Sequence, residues 1–191
     1  MPRKKKEEPQ AVTIEEPVVP DMVAVQMPTE APVESLDLEL PRVVTFMLAD
    51  QRYAIPIESV QEIQQIVEFT PVPDVSPALV GMLDVRGLVV PAIDLRLLFG
   101  LEPKDYHLDT PMILLRSQGH LAALLVDEVE DVYEVPEGSM QAPSKLYTLA
   151  DRMIGICRLA IGLVVVLDPD RLVPGTMLSA IGVSEGEGFV R

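Results

Sequence analysis

The chain has 191 residues, with 15 Lys and Arg against 30 Asp and Glu, a formal net charge of −15 and a single cysteine. That length suits one domain with some excess. The acidic balance argues against a phosphate-neutralising nucleic-acid surface, and one cysteine, Cys157, excludes an internal disulfide or a Cys-based zinc cluster. Hydrophobic residues make up 48% of the chain, yet no apolar run approaches the roughly 20 residues of a membrane helix, so direct membrane insertion is not expected. With 4% aromatic residues and no Trp, base-stacking and carbohydrate sites are disfavoured. Proteins are the expected partners.

Residues 1–41 hold seven prolines, four basic and nine acidic side chains. Proline at that density denies the backbone both helix and sheet ladders, and the segment is expected to be a disordered Pro/Glu-rich tether. No apolar stretch follows its basic tip, residues 1–6, so no secretory signal is expected. From Arg42 the texture changes. Residues 43–48 form a buried-type strand and 53–57 return as a hairpin partner, with Pro56 suiting an edge or a strand end. Residues 58–66 suit a short helix running into a strand, and where one gives way to the other stays open because Val60, Ile63 and Val67 fit helical spacing. A proline-rich loop covers 70–77.

Residues 79–83 and 88–93 read as a second hairpin whose turn, Asp84-Val85-Arg86-Gly87, places Gly87 where positive φ is needed. Asp94 caps a short helix over 95–99 that Gly100 closes. A third hairpin joins 112–115 to 121–126 through Ser117-Gln118-Gly119. After a mixed stretch near Val129–Val135 and a loop over 136–149, a fourth hairpin joins 154–159 to 163–167. Asp168-Pro169 is an N-cap with Pro at the first helical position. Residues 179–191 are expected to be a flexible tail.

Two segments align without a gap at an offset of 74 residues: 81–98 and 155–172, both running Gly, strand, turn, strand, capping Asp, short helix. The hairpin over 46–57 corresponds to 113–124 at an offset of 67. Strands such as 88–93 and 163–167 are apolar on both sides. One side suits a barrel lumen, and the other needs cover that the second repeat would supply. The expected fold class is therefore all-β with short helices: two small barrel subdomains sharing an apolar interface, folded as one unit over residues 42–178.

Val60-Gln61-Glu62-Ile63, followed by Gly81 to Leu95 with its Arg86-Gly87, Val90-Pro91 and Asp94, resembles the CheW-like domain of bacterial chemotaxis coupling proteins. The segment 125–132 and the closing hairpin and helix over 154–172 extend the resemblance to residues 42–175. It implies two intertwined SH3-like five-stranded β-barrels with a groove between them, and no enzymatic activity. It also implies binding to the regulatory domain of a CheA-type histidine kinase and to the cytoplasmic tip of chemoreceptors, hence a cytoplasmic location at receptor arrays. Asp84-Val85 departs from the Asn-Leu that coupling proteins commonly carry there. The expected binding residues are Val60, Glu62, Arg86, Gly87 and Leu88, with Glu62 pairing to Arg86 and Val60 and Leu88 lining a groove for an amphipathic receptor helix.

The same residues have plainer readings: a solvated turn arginine, a turn glycine and core aliphatics. The run Asp127 to Asp131 lacks calcium-loop spacing and reads as a solvated acidic turn. His107 and His120 have no metal-ligand spacing, and Cys157 reads as a small buried hydrophobe. No nucleophile–base set, phosphate loop or dinucleotide fingerprint occurs, so no catalytic residue, metal or cofactor is expected. The alternatives are a scaffold in a pilus or polar CheA-like pathway, and a small-molecule-binding sensor.

Overall fold

The computed structural model describes residues 42–73, 75–143 and 148–173. The expectations for the 1–41 tether and the 179–191 tail lie outside the described residues. The first hairpin is β1 (Arg42–Leu48) and β2 (Gln51–Pro56), and a single 3-10 turn, Ile57–Ser59, leads into β3 (Val60–Gln65) and β4 (Phe69–Thr70). Then come β5 (Leu79–Val85), β6 (Leu88–Asp94), helix α1 (Leu95–Leu98), β7 (Pro111–Ser117) and β8 (His120–Leu125). The chain continues through β9 (Glu128–Glu134), β10 (Met140–Gln141), β11 (Met153–Leu159), β12 (Gly162–Leu167) and α2 (Pro169–Leu172).

These strands make two sheets of six, in the orders β10-β11-β12-β2-β1-β9 and β3-β7-β8-β6-β5-β4. Each sheet has five full strands and a sixth, β4 or β10, of two residues. Reversing the second order gives β4-β5-β6-β8-β7-β3, so the two sheets match strand for strand. The parallel joints coincide as well: Val166 faces Ala54 in one sheet and Ala92 faces Ala123 in the other. The second repeat thus follows the first at 74 residues for β5, β6 and α1, as the sequence suggests. The first hairpins match at 69 residues rather than 67, since the positive-φ turn residues are Ala49 and Gln118. The two-residue shift leaves no mark in the sequence, because neighbouring aliphatics in these strands are interchangeable.

The halves are intertwined. The hairpin β1–β2 joins the sheet of β9 to β12, while β7–β8 joins the sheet of β3 to β6. In the second sheet only residues 66–68 separate β3 from β4 at the opposite edge. Four residue steps reach at most about 14 Å, whereas a flat six-stranded sheet is about 24 Å across. The sheet must therefore curl until its edges approach, as a barrel does.

Curling leaves three apolar clusters. Leu83, Val90, Ala92, Leu114 and Ala123 fill one sheet's concave side, and Val43, Ala54, Cys157, Val164 and Val166 fill the other's. Between the sheets lies a larger core in which Val44, Phe46 and Ile55 of one meet Ile93, Ile113 and Leu124 of the other. This is the expected shared interface.

The open reading of 58–66 resolves as a short 3-10 turn running into a strand, Val60–Gln65. The helical spacing of Val60, Ile63 and Val67 has no structural counterpart: Ile63 and Val67 are 44% and 40% exposed. Pairing of β3 with β7 outweighs a weak local periodicity.

Candidate functional site: the β5–β6 turn and its ion pair

The β5–β6 connection is a two-residue turn with Arg86 at φ 55° and Gly87 at φ 82°. Positive φ at both central positions matches the right-handed twist of the flanking strands. Glycine accepts that conformation freely, whereas an arginine pays for the clash of its Cβ with the following carbonyl. Asp84 helps to hold the turn, its Oδ1 accepting from the Gly87 N–H at 2.7 Å. From this turn the Arg86 side chain reaches β3. There its Nη2 donates to Glu62 Oε1 at 2.8 Å.

Glu62 is placed by a bulge in the β3–β7 pairing between Val60 and Glu62. A bulge bends its strand and re-aims the next side chain. The Arg86 side chain is 76% exposed and that of Glu62 35%, so the pair adds only about 0–1 kcal/mol of stability. Its effect is to fix a cation and a carboxylate in one place on the surface.

Of the five sequence-derived site residues, four gather at the surface: Glu62 and Arg86 by their ion pair, Gly87 as the exposed turn residue, and Leu88 beside it at 38% exposure. Val60 differs. It is half-buried and packs against the central core, so only part of its side chain reaches the surface. Val89, 54% exposed, and Ile63 are the aliphatics that do face outward. Val89 sits in a run, Leu88-Val89-Val90, too uniformly apolar for alternation to be read, whereas Ile63 lies among polar neighbours and its helical spacing with Val60 and Val67 suggests a buried face instead.

A polar cluster lies elsewhere, where α1 meets the start of β9. Asp94 caps α1, accepting from the backbone N–H groups of Arg96 and Leu97, and takes a 2.7 Å hydrogen bond from the Tyr106 hydroxyl. Burial, and then this bond to Asp94, push the Tyr106 pKa upward. Arg96 donates from Nε and Nη2 to the two Asp127 oxygens at 2.7 Å each, and the Ala49 N–H donates to Asp127 Oδ2 at 2.7 Å. Burial pulls the Asp127 pKa up, but the Arg96 and Ala49 hydrogen bonds, with the nearby Arg96 and Lys104 charges, outweigh it and hold the carboxyl below its ordinary value.

These residues line a pocket of about 30 Å³, room for little more than a water molecule. The reading of 127–131 as a solvated acidic turn is thereby corrected. Asp127 is 13% exposed and doubly bonded by Arg96, Glu130 is paired to Arg52 at 2.9 Å, and 128–134 are strand. The partners lie 31 to 78 residues away, beyond any local pattern. Among the described residues, no three His, Cys, Asp or Glu side chains are arranged to hold a metal ion, and no helix is long and apolar enough to cross a membrane.

Residues 42–176 match the family model of the CheW-like domain. The chemotaxis protein CheW of Helicobacter pylori is 30% identical over 131 residues, covering 63% of this chain and 79% of that protein. The CheW of Klebsiella aerogenes is 28% identical over 138 residues, covering 71% and 83%. Among solved structures, the crystal structure of the scaffolding protein TtCheW from Thermoanaerobacter tengcongensis superposes with a TM-score of 0.65 at 26% identity, covering 72% of this chain and 90% of that one.

Proposed function

Because this chain belongs to the CheW-like domain family, we propose that it is a non-enzymatic adaptor coupling chemoreceptors to a CheA-type histidine kinase in chemotaxis or motility signalling. The observation that carries the reading is the exposed Glu62–Arg86 pair, held at 2.8 Å by a turn that places arginine in the left-handed region. A strained non-glycine turn residue on a surface is a reason to look for function there. Neither the polar cluster nor the turn pairs a nucleophile with a base, so assembly rather than chemistry is the activity these side chains suit.

In this reading the receptor tip, an amphipathic helical surface, docks by its apolar side near Leu88 and exchanges polar contacts with Glu62 and Arg86. The regulatory domain of the kinase engages another face, and the protein works in the cytoplasm at receptor arrays. Kinase control follows if receptor states differ in their affinity for the assembled complex, since a coupling without differential binding transmits nothing.

The test is calorimetric. The full chain is titrated with the regulatory domain of a CheA-type kinase from the same genome, and separately with a receptor cytoplasmic fragment. One-to-one binding of micromolar strength or better is expected for the kinase domain. Arg86→Glu sets two carboxylates face to face and is expected to weaken receptor binding by about tenfold or more, or 1.4 kcal/mol, with kinase binding retained. Unchanged receptor affinity in a folded Arg86→Glu protein would remove this turn from the receptor surface. No binding to any such kinase domain would overturn the adaptor reading.

A further inference from the structure

The repeat allows the two helix joints between the sheets to be compared position by position. α1 follows β6 of one sheet and is tied through Asp127 to the β1–β2 turn of the other. α2 follows β12 and is tied directly to the β7–β8 turn. Asp170 Oδ1 accepts from the Gln118 backbone N–H at 2.9 Å, and the Asp170 carbonyl oxygen accepts from the Gln118 side-chain amide at 3.0 Å. Gln118 is the repeat partner of Ala49, and Asp170 that of Arg96. The joints are unequal. In the first, Asp127 is nearly buried and Arg96 donates to it twice. In the second, Asp170 and Gln118 are both exposed, so water competes for the same groups. The residues beneath the two turns differ as well. Leu48 is fully buried in the shared core, whereas its repeat partner is Ser117, 1% exposed, whose Oγ has no hydrogen-bond partner among the described residues. A hydroxyl in that position has given up water and gained nothing in return, which in a native fold calls for an explanation.

We propose that α2 is a latch, which opens locally while the α1 joint stays shut. In the open state the two Gln118–Asp170 bonds pass to water, Ser117 is hydrated, and Leu172 and Val173 leave the core between the sheets. Burial of those two aliphatics, both 0% exposed, keeps the closed state the populated one, and the stranded Ser117 hydroxyl narrows the gap to the open one. Local openings draw on segments held by solvent-exposed hydrogen bonds, as α2 is. At the α1 joint both contributions run the other way: opening would break a bidentate charged pair and expose Leu48 to water. Because α2 leaves the last strand of one sheet and packs on β7 of the other, its release undoes one of the two helix ties between the sheets and leaves the strands paired.

The test is amide hydrogen exchange of the full chain, read residue by residue by NMR with no partner added. Ala49 and Gln118 are matched probes, each a turn N–H bonded to a carboxylate. Phe99 and Leu172 report the backbone bonds of the two helices. After correction for intrinsic rates, Gln118 and Leu172 are expected to exchange at least about tenfold faster than Ala49 and Phe99. Ser117→Val removes the stranded hydroxyl and is expected to slow exchange at Leu172 by about tenfold, with Ala49 unchanged. Ser117→Ala, which adds no atom, guards against a valine too large for the site and is expected to act in the same direction. Asp170→Ala is expected to speed Leu172 by a similar factor. A fraying chain end would respond to Asp170→Ala but not to the Ser117 variants. Exchange at Leu172 that is indifferent to both Ser117 variants therefore overturns the latch, as does equal protection at the two joints. The titrations above read the adaptor role separately, so the two can fail independently.

Discussion

Arg86 shows how a single residue can trade stability for position. Its φ of 55° costs about 1–2 kcal/mol that glycine would not, and its ion pair with Glu62 returns about 0–1 kcal/mol. Arg86→Gly relieves the strain, loses the pair and loosens the unfolded chain, so the midpoint of urea unfolding is expected to stay within about 1 kcal/mol of wild type. A large destabilisation would mean that the side chain is structural after all. Asp127 is a different case. Its folded-state pKa is depressed, chiefly by hydrogen bonds from Arg96 and Ala49 that overcome burial. A depressed carboxylate contributes stability above its unfolded pKa near about 3.9, and loses it as pH falls through the folded value. Asp127→Asn should therefore be destabilised at neutral pH, with the gap to wild type closing below about pH 4. A gap constant with pH would contradict the charged role.

Within the elements, most of the local structure could be read from the chain. Asp94 and Asp168 both cap short helices as their sequences imply, and Gly87 occupies the turn position expected of it. Gly81 and Gly155 were legible only as repeat partners; the structure gives the reason for them. A Cβ on Gly81 would lie 2.6 Å from the Thr70 carbonyl oxygen, and one on Gly155 2.5 Å from that of Gln141. Both glycines admit the two-residue strand that packs against them, β4 in one sheet and β10 in the other. Gly81→Ala and Gly155→Ala are each expected to cost about 1–3 kcal/mol, read as a lower thermal midpoint, because the nearest obstructing atom in each case is a backbone carbonyl oxygen that cannot swing aside.

For the whole molecule, the decisive fact is that each sheet takes a hairpin from the other half of the chain. Neither repeat can complete a sheet alone, and the core between the sheets draws on both. Residues 42–98 expressed by themselves are expected to be unfolded by circular dichroism. The intact chain should unfold in one cooperative transition. Phe46→Ala, at a fully buried position of the shared core, should shift that transition by about 3–5 kcal/mol without splitting it. Two resolved transitions would show that the sheets are energetically separate.

By itself, the sequence determined the all-β class, the four long hairpins, the capped helices, the repeat and the acidic surface, because alternation, turn chemistry and capping are local properties. The Glu62–Arg86 pairing was legible through the family resemblance, but not from spacing. Only the tertiary structure decided that the hairpins exchange between sheets, that 60–65 is strand, that Val60 faces the core, and that Asp127 is held by Arg96. Each of these depends on which apolar faces cover one another after the chain crosses between the sheets at 57–59 and 126–127. Covering is a property of the assembled surfaces, and no window of neighbouring residues contains it.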